Sequence, residues 1–182
     1  MKKRIVTISL LLGTAMGMQA KILRVNNSPN IEAGYNSLSN ALLDAAIGDT
    51  IYLEPSSQAY GERDAYGFND MKINKQVTIL GPGYYLAENK ITEFAAGETF
   101  IGGTVRISAD NVNISGVIMS NVRIEANNVT LQRCQILNGS STAVKINTDV
   151  NGSVIEQCFV VGDIQGLILS AQRYGEQQYH LW

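Results

Sequence analysis

The chain has 182 residues, sparse charge (14 Lys and Arg against 16 Asp and Glu) and a formal charge of −2. Setting aside Lys2, Lys3 and Arg4 leaves about −5 over the remainder, which excludes nucleic acid as an obvious partner. Two cysteines with no CxxC, no HExxH and a single histidine leave no zinc signature.

In chain order, residues 1–20 read as a signal peptide. Lys2, Lys3 and Arg4 form a basic n-region, Ile5 to Gly13 an apolar h-region, and Met16 to Ala20 end in the small residue that signal peptidase accepts. The apolar run is shorter than the roughly 20 residues that a membrane span needs. The expectation is therefore an exported protein (periplasmic, cell-surface or secreted) whose domain is 21–182, with no membrane span in the mature chain. Ile22 to Val25 alternates as a first strand. Leu38, Ala41, Leu42 and Ala45 then follow helical spacing, with Ser37 as N-cap and Gly48 placed as a C′ glycine. Ile51 to Leu53 returns to strand, and the short helix is positioned to plug the open end of a stack. Met71 to Asn74 and Val77 to Leu80 form a looser version of the pattern that follows.

That pattern is internal repetition. Val105-Arg106-Ile107-Ser108-Ala109-Asp110-Asn111-Val112-Asn113-Ile114 matches Val122 to Leu131 at an offset of 17 residues. A third copy begins at Val144-Lys145-Ile146-Asn147, at an offset of 22, with the extra residues in the Asn138-Gly139-Ser140-Ser141 segment. Each copy is a set of short alternating strands separated by Asn, Asp or Gly turns. One copy alone buries too little area, so copies must stack, with like residues about 4.8 Å apart. The expected inward columns are Ile107, Ile124, Ile146; Ile114, Leu131, Ile155; and Val117, Cys134, Cys158. Asn111 and Asn128 are expected to align at a turn and hydrogen-bond up the stack. The variable offset argues against a strict hexapeptide left-handed helix, and no copy carries leucine-rich spacing. The fold class expected is all-β, a right-handed parallel β-helix with a short N-terminal capping α-helix, and the chain is compatible with being the N-terminal part of a longer solenoid.

The sequence resembles the pectin-lyase-like superfamily of right-handed β-helices. The resemblance is carried by Ser37-Leu38-Ser39-Asn40-Ala41-Leu42 through Gly48-Asp49-Thr50-Ile51-Tyr52-Leu53, by Val77-Thr78-Ile79-Leu80-Gly81-Pro82-Gly83, and by the repeats at Asn111 and Asn128. It covers most of residues 21–169 and implies the fold without choosing an activity, since that superfamily includes lyases, hydrolases, tailspikes and adhesins. Its hydrolases carry Asn-Thr-Asp, Asp-Asp, Gly-His-Gly and Arg-Ile-Lys on successive coils, and none of these occurs here. Its lyases need a ladder of carboxylates for calcium and a basic residue to take the proton beside a uronate carboxyl.

Two surface features are candidates for ligand binding. Arg106, Arg123 and Lys145 occupy equivalent outward positions, a column that suits an acidic polysaccharide; long charged side chains at such positions also serve solubility. The segment from Gln58 to Asp70 combines Tyr60 and Tyr66 with Arg63 and Asp64, residue types that stack on and hydrogen-bond to sugars; as an ordinary excursion it instead covers the coil edge. Cys134 and Cys158 are expected as a reduced, buried pair: in-register side chains point the same way, whereas a relaxed disulfide needs a dihedral near ±90°. A bridge is the alternative. The functional expectation is an exported, non-catalytic protein that binds glycan or builds a surface structure, with polysaccharide or cell-surface components as partners and no cofactor. The alternatives are a pectate-lyase-type enzyme acting on acidic polysaccharide, which alone calls for calcium, and a purely structural or adhesive solenoid.

Overall fold

In a computed structural model, which describes residues 20–65, 67–84, 86, 97–166, 172–174 and 178–181, the chain passes back and forth between two sheets. The first contains β1 (Ile22–Val25), β2 (Thr50–Leu53), β6 (Thr78–Leu80), β8 (Asn113–Ser115), β10 (Thr130–Gln132) and β12 (Val154–Glu156). These lie side by side in that order and all pairs are parallel. The second contains β5 (Met71–Ile73), β7 (Phe100–Ile107), β9 (Ile118–Ile124), β11 (Gln135–Ile146) and β13 (Cys158–Gln165), again parallel. Beyond β13 it is continued by the antiparallel β15 (Gln178–Leu181) and β14 (Gln172–Tyr174). A separate two-stranded piece joins β3 (Arg63–Asp64) to β4 (Gly67–Phe68). Neither large sheet closes on itself.

The repeat registers match the expected columns. Ile107, Ile124 and Ile146 are direct partners. Ile114 pairs Leu131 and Leu131 pairs Ile155, and the same column runs back through Ile79 and Ile51 to Leu23. Its inner members Ile51, Ile79, Ile114 and Leu131 are fully buried, while Leu23 and Ile155 at the two ends are only partly covered. Parallel pairing of the repeats thus produces the core: each buried branched side chain is worth about 1.5–3 kcal/mol relative to exposure, and no single repeat could collect that alone.

The turns between sheets use two repeated left-handed positions. Asn111, Asn128 and Gly152 take φ of 58°, 55° and 70° where the chain leaves β7, β9 and β11 for the first sheet. The Asn128 amide donates to the Asn111 side-chain oxygen at 3.3 Å, the expected ladder. Gly116, Arg133 and Gln157, at 71°, 50° and 52°, turn it back toward the second sheet. Gly116 also faces Gly81, and a Cβ on either would strike the other's carbonyl oxygen; close backbone approach is what requires glycine there.

The helix α1 (Leu38–Asp44) starts where expected, with the Asn40 N–H donating to the Ser37 hydroxyl. It buries Leu38, Ala41 and Leu42 beside β1 and β2. Its end departs from expectation. Ala45 is the C-cap, and Gly48, although at φ 88°, lies three residues further on in the turn before β2. The last carbonyls are met instead by Lys75, whose ammonium donates to Leu43 O at 2.6 Å and Ala45 O at 2.8 Å. A cation at a helix C-terminus satisfies both the orphan acceptors and the dipole, which removes the need for a C′ glycine. The expected leader, residues 1–19, lies outside the described residues. No described helix is long and apolar enough to cross a membrane.

Candidate functional site

The outward column is longer than the repeats indicate. Lys72 on β5 pairs with Arg106 on β7, Arg106 with Arg123 on β9, and Arg123 with Lys145 on β11. Strand alternation explains the direction: the residues on either side, from Met71 and Ile73 to Val144 and Ile146, are buried. Four cations therefore sit at successive rungs about 4.8 Å apart. Lys72 was legible only as part of the looser Met71-Lys72-Ile73-Asn74 copy, which aligns with Val105-Arg106-Ile107-Ser108.

The four are not electrostatically equal. Arg106 donates from Nε to Asp70 at 2.9 Å and from Nη1 to Glu125 at 2.8 Å, so its charge is internally answered. The hydrogen bond to Asp70, ahead of the Glu125 charge, raises the Arg106 guanidinium further. In return, the Arg106 hydrogen bond holds the Asp70 carboxyl below the usual carboxylate range, helped by Thr104 and by the charges of Arg106 and Arg123. Arg123 and Lys145, both exposed, make no ion pair among the described residues. The column expected to act as three equivalent cations thus contains one neutralised arginine beside two free charges. Repulsion along a cation ladder explains the arrangement: carboxylates placed at one rung relieve it.

Beside the free pair the sheet is irregular. Register between β9 and β11 shifts between Ile136 and Val144, the place that absorbs the longer repeat offset. There Asn138 donates to the Thr142 carbonyl at 3.1 Å. Asn138 and Thr142 of this bulge, with Thr104, Asn121, Arg123 and Lys145, line a cavity of about 240 Å³. With Gln165, two cations, three amides and two hydroxyls form a polar recess sized for one sugar unit or a single anionic group rather than a deep cofactor pocket.

The second candidate dissolves in part. Tyr60 is 1% exposed, inside the core. Its hydroxyl lies 2.7 Å from the Glu54 carbonyl and 3.0 Å from that of Val25. Burial is the main reason that its phenol is pushed up to about 12. It pins β2 and β1 to the following segment and cannot stack on a sugar. Arg63 and Asp64 form β3, opposite Phe68 and Gly67; Tyr66 lies outside the described residues. The segment's acidic end, Asp70, belongs to the column through Arg106.

Cys134 and Cys158 occupy adjacent rungs, fixed by the flanking pairs Gln135 with Ile118 and Phe159. Both are fully buried and unbridged, and the Cys134 N–H donates to Cys158 Sγ at 3.4 Å. Hydrogen bonding with Cys134, then burial, pushes the Cys158 thiol well above its ordinary value. The pair serves as core. Among the described residues no group of three or more acidic, Cys or His side chains converges that could hold the calcium the lyase alternative requires, and Asp70 and Glu125 grip Arg106. No family model, curated protein or solved structure matches this chain.

Proposed function

We propose that this chain is an exported, non-catalytic, right-handed parallel β-helix of the pectin-lyase-like kind that binds acidic polysaccharide on the outward face of β9 and β11. The right-handed winding is supported by the alternation between two parallel sheets, because parallel crossovers almost always take that hand. The observation that carries the binding reading is the pair Arg123 and Lys145: neighbouring rungs, exposed, in no ion pair among the described residues, and bordered by the amides and hydroxyls of the bulge. A polyuronate offers what that surface lacks, carboxylates repeated along an extended chain with hydroxyls between them. The overall acidity of the protein makes the recess a local attraction, strongest at low ionic strength.

The test is retention on polygalacturonate or heparin resin. The wild-type protein should be held at low salt, and the double variant Arg123→Ser, Lys145→Ser should flow through, while Arg106→Ser changes retention much less. If the wild-type protein is never retained at low salt, the binding reading fails. Release of unsaturated uronate, seen as ultraviolet absorbance, would instead establish an enzyme.

A further inference from the structure

Asp49 is a buried carboxylate, 2% exposed, with no ion pair among the described residues. Its Oδ1 accepts the backbone N–H of Lys21 at 2.8 Å and its Oδ2 that of Ala46, also at 2.8 Å. The Lys21 carbonyl in turn accepts from Thr50, and the Asp49 carbonyl from Thr78. The chain is therefore committed to the first sheet from Lys21 onward, while Ala20 and Lys21 themselves are exposed, leaving the bond between them accessible.

We propose that cleavage between Ala20 and Lys21 turns the Lys21 backbone nitrogen into the cationic partner of Asp49, so that removal of the leader itself fastens β1 to β2. The inference rests on the reading of the chain as exported. Hydrolysis adds one water: the C–N bond breaks, Ala20 leaves as a carboxylate, and the nitrogen of Lys21 becomes an α-ammonium. An atom that already aims one neutral N–H at Oδ1 then presents a full charge and three donors. The bond to the carboxylate is already charge-assisted on the acceptor side; cleavage adds the donor's charge, so the buried carboxylate gains a counter-ion where its donor already stands. The other charged or titratable groups that act on it are the Lys21 side chain and Tyr35, whose hydroxyl is raised chiefly by burial, with Asp44 and Asp49 contributing; Asp44 thus faces Tyr35, and Lys75 meets the helix end.

The experiment expresses the full chain with its leader in an exporting bacterium and establishes the mature N-terminus by mass and sequencing. A second chain carries one extra alanine after Ala20, so that processing leaves a residue ahead of Lys21. Both are also made with Asp49→Asn. The mature wild type should begin at Lys21, and the one-residue extension should lower its Tm by roughly 3 °C, with little or no loss in the Asp49→Asn pair. An equal loss in both backgrounds, or a mature N-terminus at another residue, overturns the pairing. An unprocessed chain overturns the export reading along with it, whereas failure on polysaccharide resin leaves the pairing untouched. If Asp49→Asn does not fold, pH supplies the second measurement. The ion pair raises the α-amine's pKa, so its stabilisation is present below the free value of about 8 and is lost as pH rises through the raised one. The Tm gap should accordingly close at alkaline pH, and a gap independent of pH overturns the proposal.

Discussion

The two large sheets solve the same stacking problem with different tolerance. Beyond β1 and β2, every strand of the first is three residues long and its pairings run without a register shift. In the second, β7, β9, β11 and β13 run from seven to twelve residues and carry shifts at Ile101/Thr104, Ile136/Val144 and again along β11 and β13. The reason is geometric. A three-residue strand with one central buried side chain has nowhere to hide an extra residue, because a slip of one inverts inside and outside. A longer strand can bulge outward between two anchored stretches. Variation therefore accumulates on the second sheet, and the polar recess at Arg123 and Lys145 lies beside its largest bulge.

The sharpest break between the sheets should come from Leu131→Ala. Leu131 is fully buried between Ile114 and Ile155 in the central column of the first sheet, and a truncation of this kind costs about 3 kcal/mol. Urea unfolding should show that loss, against a change within about 0.5 kcal/mol for Lys145→Ala on the outward face of the other sheet. Comparable losses at both positions would mean that the core does not reside where the registers put it.

A smaller effect is expected at the turn shared by both sheets. Asn128→Ala removes the amide bond to Asn111 and forces a Cβ-bearing residue with no compensating side chain to hold φ 55°. The left-handed conformation alone costs about 1–2 kcal/mol. Asn128→Gly should recover most of this, because glycine removes the conformational term and leaves only the lost hydrogen bond. If the alanine and glycine variants unfold at the same urea concentration, the ladder rather than the backbone is the source of stability.

These positions also mark what the sequence made legible. The columns could be read because burial puts the same residue class at each paired strand: Ile107, Ile124 and Ile146, or Ile114, Leu131 and Ile155. Asn111 and Asn128 could be read because asparagine tolerates positive φ. Arg133 and Gln157 hold the other left-handed turn without any such preference, so only the folded structure places them. The helix ends at Ala45 rather than at Gly48 because the group that meets its last carbonyls, Lys75, lies 30 residues further along the chain. Tyr60 was misread for a related reason: an aromatic in a polar segment looks like a ligand platform until long-range carbonyls claim its hydroxyl. The inequality within the cation column was equally hidden, since Asp70 reaches Arg106 across 36 residues.

The smallest effect tests that inequality directly. Asp70→Asn and Glu125→Gln together remove both carboxylates from Arg106 while leaving the rung geometry intact. If Arg123 and Lys145 bind polyanion because they are in no ion pair, freeing Arg106 on the rung beside Arg123 should move elution from polygalacturonate resin to higher salt. An unchanged elution position would mean that pairing does not govern the site. The same variant has a stability signature of known sign. Asp70 is held below the usual carboxylate range in the folded chain, so its contribution is present above the unfolded value near 4 and is lost as pH falls through the depressed one. The variant should therefore unfold less steeply with acid below about pH 4. Because Asp70 is half exposed, solvent screening keeps the difference well under about 1 kcal/mol, and a larger acid effect would point to a more buried pair than this one.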